Sequence, residues 1–231
     1  MKRRYTVLTV TELDKYQRLF DKQEGIVYPK VKSGMRWFEP MDRGNALNSL
    51  IDGTAGIGEL PKGTGVYAKS PEGGRYFKFP ASMVTAVNGY VAGAERQKPL
   101  RAWLATREGW VWLYGRPDYI LGDTVIDLKM CSQYDWRWYE RAWQRHAYPY
   151  LLWMNGVRTR KFEYLIIINA PFGGWDTKHH AGDVDFNTSR SMLARHCERI
   201  IAYRRTVVRP YGEVGNMPEE RGSDTPQTGT R

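Results

Sequence analysis

The sequence predicts an α/β fold, a mixed sheet flanked by helices on both faces. Two observations carry this. Stretches 101–107, 110–121 and 124–130 have strand character and are separated by Glu108-Gly109 and Gly122-Asp123, so they form a three-stranded antiparallel meander. A later run at 162–169 contains Tyr-Leu-Ile-Ile-Ile, continuously apolar as a strand buried in parallel pairing is. Helical patterns precede, separate and follow these strands, which gives the order helix, three antiparallel strands, helix, strand, helix.

Residues 5–10 read as a short strand. A helix follows from Thr11-Glu12-Leu13-Asp14, with Thr11 as its N-cap and Gly25 as its end. Tyr28-Pro29-Lys30-Val31 is extended. Asp42 to Gly53 reads as a helix capped by Asp42, with Leu47, Leu50 and Ile51 as its apolar stripe and Gly53 as its stop. Asn48 lies one residue off that stripe, which allows it to face a rim or a cleft, while spacing alone favours an ordinary solvated helix residue. Glycine and proline are dense between 53 and 74, which predicts loops with room for a hairpin. Pro80 to Gln97 reads as a helix with Val84, Val87, Val91 and Ala94 on one side.

After the meander, Asp135 to Met154 reads as one long helix. Trp136, Tyr139, Trp143, Tyr150 and Leu151 pack it. Glu140, Gln144 and Tyr148 recur every four residues on one stripe, and Arg137, Arg141 and Arg145 form the adjacent stripe. Ala170 to Gly182 is expected to be a loop containing His179-His180. Val184 to Arg204 reads as the last helix. The expected organisation is a single domain over 1–209, with an N-terminal helical and loop elaboration and a disordered tail at 210–231.

The chain has 231 residues, 42% of them hydrophobic, with nine Trp, enough for a sizeable core. No apolar run is long enough to span a bilayer, and the basic N-terminus lacks the apolar block of a secretory signal. Cys131 and Cys197 cannot build a disulfide framework or a four-thiolate site, so a reduced, cytoplasmic setting is expected. The formal net charge of +10 favours a polyanionic partner, nucleic acid ahead of an anionic membrane. From residue 204 onward five arginines meet four acids, so most of the excess charge lies on the folded part.

The most informative stretch runs from Gly115 to Lys129. Asp118 sits on one strand of a hairpin, and Asp127 and Lys129 on the other. Residues two apart share a strand face, while Leu128 points the opposite way into a core. Carboxylates and an ammonium converging there are costly to desolvate without a compensating ion. A hard divalent cation bridging Asp118 and Asp127 would compensate them. Lys129 could orient or deprotonate a water, or steady a developing phosphate charge. A surface hairpin with a salt bridge is the plain alternative when these residues are taken alone.

In these residues the chain resembles the PD-(D/E)xK nuclease superfamily, in its RecB-like exonuclease branch. Gly115-Arg116-Pro117-Asp118 matches Gly-x-x-Asp. Ile126-Asp127-Leu128-Lys129 matches I/V-D-x-K, and Gln144 to Tyr148 matches Gln-x-x-x-Tyr. Arg43-Gly44-Asn45-Ala46-Leu47-Asn48 aligns with Arg-Gly-x-x-x-His. The match spans most of residues 28–204. Phage-encoded and mitochondrial members without an iron–sulfur cluster look most similar.

The resemblance implies a restriction-endonuclease-like core and Mg²⁺ or Mn²⁺ held by Asp118, Asp127 and the Leu128 carbonyl. It implies Lys129 as the catalytic lysine, with Gln144 and Tyr148 positioning the DNA backbone or the active-site groups. Arg43, Arg137, Arg141, Arg145 and His180 are the candidate DNA contacts; for the three α-helical arginines a solvated basic face is an equal alternative. Where the family carries a histidine metal ligand, this chain has Asn48, a neutral oxygen donor. Natural tolerance, a degenerate enzyme and a deliberate inactivating substitution all fit that difference. The expected function is a metal-dependent DNA exonuclease in phage or bacterial recombination, replication or repair. It would act on single strands or duplex ends, in the host cytoplasm if phage-encoded, with recombination or replication proteins as partners and no membrane. An inactive DNA-binding relative is the alternative, and RNA or membrane-surface binding by charge alone is a weaker third.

Overall fold

The computed structural model describes residues 5–26, 39–54, 57–59, 65–71, 75–169 and 174–207. The expected extension at 28–31 and the expected disorder at 210–231 lie outside them. The chain is a mixed α/β fold, as its patterning predicts, with sheets arranged differently in detail.

Strand β1 (Tyr5–Thr9) leads directly into helix α1 (Val10–Gln23). The N-cap is Thr9, not Thr11. Its hydroxyl accepts from the Glu12 N–H while Glu12 bonds back to the Thr9 N–H, a reciprocal pair that the spacing Thr9-x-x-Glu12 permits. Helix α2 (Glu39–Ile51) starts before Asp42, so Asp42 lies inside it, with Arg75 at 3.7 Å, instead of capping it. Leu47, Leu50 and Ile51 are buried as their stripe predicts, and Gly53 follows at φ +70°.

A small antiparallel sheet follows, with order β2 (Ile57–Glu59), β3 (Gly65–Lys69), β4 (Tyr76–Pro80). Helix α3 (Ala81–Tyr90) is shorter than expected. The chain turns at Gly93 (φ +77°) into β5 (Glu95–Arg96).

The predicted meander is split between two sheets. Strands β6 (Leu100–Thr106) and β7 (Gly109–Gly115) join β1 in the order β1-β7-β6, with β1 parallel to β7. Strands β8 (Tyr119–Leu121) and β9 (Thr124–Cys131) belong to a five-stranded sheet, β11-β10-β9-β8-β5. The expected single strand 110–121 breaks at Arg116-Pro117-Asp118. Pro117 has no N–H to give a ladder, and the Asp118 carboxylate takes the Leu128 N–H at 2.9 Å.

The expected helix 135–154 is also broken, into α4 (Trp136–Arg141) and α5 (Gln144–Met154), because Ala142 is extended at ψ 136°. The arginine stripe therefore does not run on as one face. Strand β10 (Lys161–Asn169) pairs parallel to β9, as its apolar run predicts. The expected loop up to Gly182 is instead largely strand. β11 (Trp175–Asp183) runs antiparallel to β10 and places His179 opposite Leu165 and His180 opposite Tyr164. Helix α6 (Phe186–Val207) completes the fold.

Two apolar cores lie on either side of the five-stranded sheet. One gathers α1, α5, α6 and the β1-β7-β6 sheet; the other gathers α2, α3 and the small sheet. Among the described residues no helix is long and apolar enough to cross a membrane.

Candidate active site

Asp127 and Lys129 alternate with Ile126 and Leu128 along β9. Ile126 and Leu128 enter the core under α2 and α3, so the charged pair faces α1 and α5. Asp118 reaches the same place from the bend immediately before β8. Its Oδ2 accepts the Leu128 N–H, and its Oδ1 accepts from Gln97 Nε2 at 3.1 Å. The Lys129 ammonium is ion-paired with Asp127 Oδ2. That buried oxygen has no hydrogen-bond donor among the described residues beyond the Lys129 ammonium. The three side chains singled out in the sequence therefore converge.

Electrostatics set their states. Asp127 is 2% exposed. Burial pushes its carboxyl up to about 7, against the pull of Lys129 and with a further push from Asp118. Burial works against the Lys129 charge, but the Asp127, Asp118 and Asp14 carboxylates outweigh it and hold the ammonium above its ordinary value. Lys129 is thus a cation at neutral pH, suited to steadying negative charge and not to accepting a proton.

Helix α5 supplies the roof. Tyr148 is buried, and its phenol is raised well above the usual value by that burial and by the Asp127 and Asp118 charges, while its hydrogen bond with Gln144 lowers it. Gln144 and Tyr148 therefore lie together beside the acids, one turn apart. Gly115 explains how α5 comes so near. A Cβ there would stand 2.5 Å from Val10 Cγ2, 3.0 Å from the Tyr148 ring and 3.2 Å from Leu151 Cδ1. Only glycine lets the helix carrying Tyr148 lie on the strand end that delivers Asp118.

The remaining candidates divide. Asn48 is on α2, where its Oδ1 accepts the hydroxyl of Tyr119, the residue after Asp118, at 3.3 Å. Arg43 places its guanidinium 5.5 Å from the Phe77 ring centroid. Arg137 is exposed and pairs with Asp135, the N-cap of α4. Arg141 is bound at 2.5 Å to Asp21, which is fully buried. Arg145 and His180 both contact Glu140, at 2.6 and 2.9 Å, and the His180 ring lies tilted against those of Tyr139 and Tyr164, 6.2 and 6.3 Å away.

Several neighbours carry no sequence signal. Gln97, at φ 49° the one described non-glycine residue with a positive φ, holds Asp118 through its side chain, and its backbone N–H meets the Asp118 carbonyl at 3.0 Å. Asp14 of α1, its carboxyl raised by burial, faces Lys129 and accepts the Trp143 N–H at 2.6 Å. Asp52, one turn after Asn48, lies near Asp118 and Tyr119; burial raises its carboxyl.

The donor set suits a hard cation. Among the described residues no three His, Cys, Asp or Glu side chains gather as a metal cage. Two carboxylates at one point, one of them buried with a raised proton affinity, match the way Mg²⁺ is held by one or two carboxylates plus water and substrate phosphate.

No family model matches the chain, and no curated protein matches its sequence. Its fold is similar to the crystal structure of a candidate exonuclease from Eubacterium rectale, with a TM-score of 0.51 and 13% identity over 88% of this chain and 83% of that one. An alkaline exonuclease from Laribacter hongkongensis aligns over 86% of this chain and 92% of its own, at 12% identity and a TM-score of 0.28, too low a score to weigh. The likeness to the Eubacterium rectale protein bears on the fold alone.

Proposed function

We propose that this chain is a metal-dependent deoxyribonuclease of the PD-(D/E)xK type, RecB-like branch. In this reading it hydrolyses phosphodiester bonds from DNA ends, in phage or bacterial recombination, replication or repair. The observation that carries the reading is the meeting of Asp118, Asp127 and Lys129 at one point. Asp118 and Asp127 would hold Mg²⁺ or Mn²⁺, with the Leu128 carbonyl and Asn48 Oδ1 as further oxygen donors. When bound, such an ion polarises a phosphate and lowers the pKa of a water. The protein's own residues do the rest. Gln97 and the Leu128 N–H fix the Asp118 carboxylate. Lys129, held protonated by its three acids, stabilises negative charge developing on the phosphate. The neutral Tyr148 phenol, aligned by Gln144, donates to a phosphate oxygen. Exposed arginines such as Arg137 contribute salt-dependent backbone contact.

The test is cleavage of end-labelled single- and double-stranded DNA with Mg²⁺, with Mn²⁺ and with EDTA. Metal-dependent shortening from the ends is expected, and Lys129→Ala should abolish it while DNA binding survives. Cleavage by Lys129→Ala at the parental rate would refute the assignment.

Asn48 favours a second reading, a weakened or inactive DNA-binding relative. Its Oδ1 already accepts the Tyr119 hydroxyl, and its neutral amide oxygen, acceptable to a hard cation, is not the imidazole the family carries. Asn48→His separates the two: cleavage only with His favours the binder, and cleavage by both rules it out.

A further inference from the structure

The outward face of the mixed β1-β7-β6 sheet breaks the inward-apolar, outward-polar alternation of a sheet with one face open to water. Leu8, Leu104, Val111 and Leu113 point inward and are fully buried. The outward positions are Tyr5 and Val7 on β1, Trp103 on β6, and Trp110, Trp112 and Tyr114 on β7; the register sets Tyr5 beside Trp110 and Trp103 beside Trp112. Val7, Trp110 and Tyr114 are 45%, 39% and 41% exposed. This is a contiguous aromatic patch, unlike scattered surface apolar residues.

The rings are held before any partner arrives. Trp103 is the hub: it lies 4.5 Å from Trp112, and meets Tyr5 edge-on at 5.1 Å and Trp110 edge-on at 6.4 Å. The strand edges are tied down from behind. Tyr150 of α5 and Asn155, its C-cap, donate to the Trp103 and Arg101 carbonyls of β6. Arg204 of α6 donates to the Val7 carbonyl of β1. The edges are therefore engaged by helix side chains, and the open element is the face.

The acids bordering that face are paired with arginines. Glu12 is paired with Arg204 and Glu108 with Arg205. Arg101, exposed and directly opposite Tyr114, has no ion pair among the described residues. In sequence, Lys2-Arg3-Arg4 immediately precedes β1, on a chain of net charge +10. Trp110 and Tyr114, four residues apart on β7, are roughly 13.6 Å apart, about four times the 3.4 Å step of a stacked strand. Rings so spaced meet splayed bases, not the stacked bases of a duplex, whose π-faces are covered.

We infer that the Trp103-centred face of the β1-β7-β6 sheet, with exposed Trp110 and Tyr114 and the Arg101 cation, is a stacking platform for single-stranded nucleic acid, separate from the Asp118–Asp127–Lys129 site. Bases stack on Trp110 and Tyr114, and Arg101 contacts the backbone; sequence preference is weak because every base has a π-face. The inference does not rest on catalysis.

The test uses the full chain in EDTA and fluorescence anisotropy with two labelled probes of equal length, oligo-dT and an abasic oligomer. Trp110→Leu/Tyr114→Leu keeps apolar bulk and removes the rings. It should weaken oligo-dT binding at least tenfold, from about 1–3 kcal/mol per stacked base, leave abasic binding unchanged and leave the melting temperature unchanged. Should the double variant fold poorly, each single variant is expected to weaken oligo-dT several-fold. Arg101→Ala should weaken both probes alike and reduce the salt dependence. Asp127→Asn should leave the contrast between probes intact, so loss of catalysis and loss of the platform are read separately. Unchanged oligo-dT affinity in the ring variants overturns the inference. So does a change in oligomeric state by sedimentation with DNA affinity intact, which would mark the face as a protein contact.

Discussion

Gly115→Ala isolates the physical reason for the glycine three residues before Asp118. The added methyl would stand 2.5 Å from Val10 Cγ2, 3.0 Å from the Tyr148 ring and 3.2 Å from Leu151 Cδ1, where ordinary contact begins near 3.4 Å. Val10 and Leu151 are buried and cannot swing away. Overpacking of this kind costs about 1–3 kcal/mol. For a chain of this size each kcal/mol moves the melting temperature by roughly 2–4 °C, so a fall of about 2–12 °C is expected. The strain also pushes α5 off β7 and takes the Tyr148 phenol with it, so cleavage should fall more than the folded fraction does. Val10→Ala removes the nearest atom. In a double-mutant cycle the pair should therefore cost less than the sum of the single changes. Differential scanning calorimetry with the end-labelled DNA assay reads both effects. A Gly115→Ala protein with parental stability and activity would refute this account of the motif.

Other outcomes follow from the same geometry. The Asp127 carboxyl is raised by burial to about 7 from an ordinary 3.8, so the fold binds more protons than the unfolded chain between those values. Metal-free stability should therefore fall as pH rises from about 4 to about 7. Asp127→Asn should flatten that slope, and Mg²⁺ or Mn²⁺ should reverse it, because binding favours the ionised carboxylate; thermal melts across pH with EDTA or metal check this. Arg141→Ala withdraws a half-exposed cation from buried Asp21, which keeps Gln17 as a donor, and should destabilise the fold by about 1–3 kcal/mol with little effect on DNA affinity. Arg137→Ala, at an exposed site, should leave the melting temperature unchanged and weaken DNA binding in a salt-dependent way.

The centre of the site was legible because it is local. The Gly122-Asp123 turn and the two-residue period of β9 bring residues 118, 127 and 129 to one place without knowledge of the rest of the fold. The Gln144–Tyr148 spacing was legible for the same reason, since one helical turn links them. What surrounds the acids was not. Gln97, Asp14 and Asp52 arrive from elements far apart in sequence, and single polar residues in such places look like any solvated side chain. β11 carries no strand signal because its sequence, Trp175-Asp176-Thr177-Lys178-His179-His180-Ala181-Gly182-Asp183, belongs to an edge strand with both faces partly wet, and it lacks hydrophobic alternation. The break at Ala142 was hidden by continuous aromatic spacing. It follows from tertiary bonds, Arg141 to Asp21 and the Trp143 N–H to Asp14, that no local pattern announces. The Thr9 cap is readable from Thr9-x-x-Glu12; β1 ends at Thr9, one residue before its pattern predicts, and that moves the cap from Thr11.

The central claim is that Asp118 and Asp127 share one cation beside the Lys129 ammonium. Mn²⁺ titration followed by electron paramagnetic resonance addresses it without needing turnover. Parental protein should bind Mn²⁺ in one class of site, Asp118→Asn and Asp127→Asn should each weaken that class by at least tenfold, and Lys129→Ala should retain it. Equal Mn²⁺ binding by the parent and both Asn variants would contradict the claim.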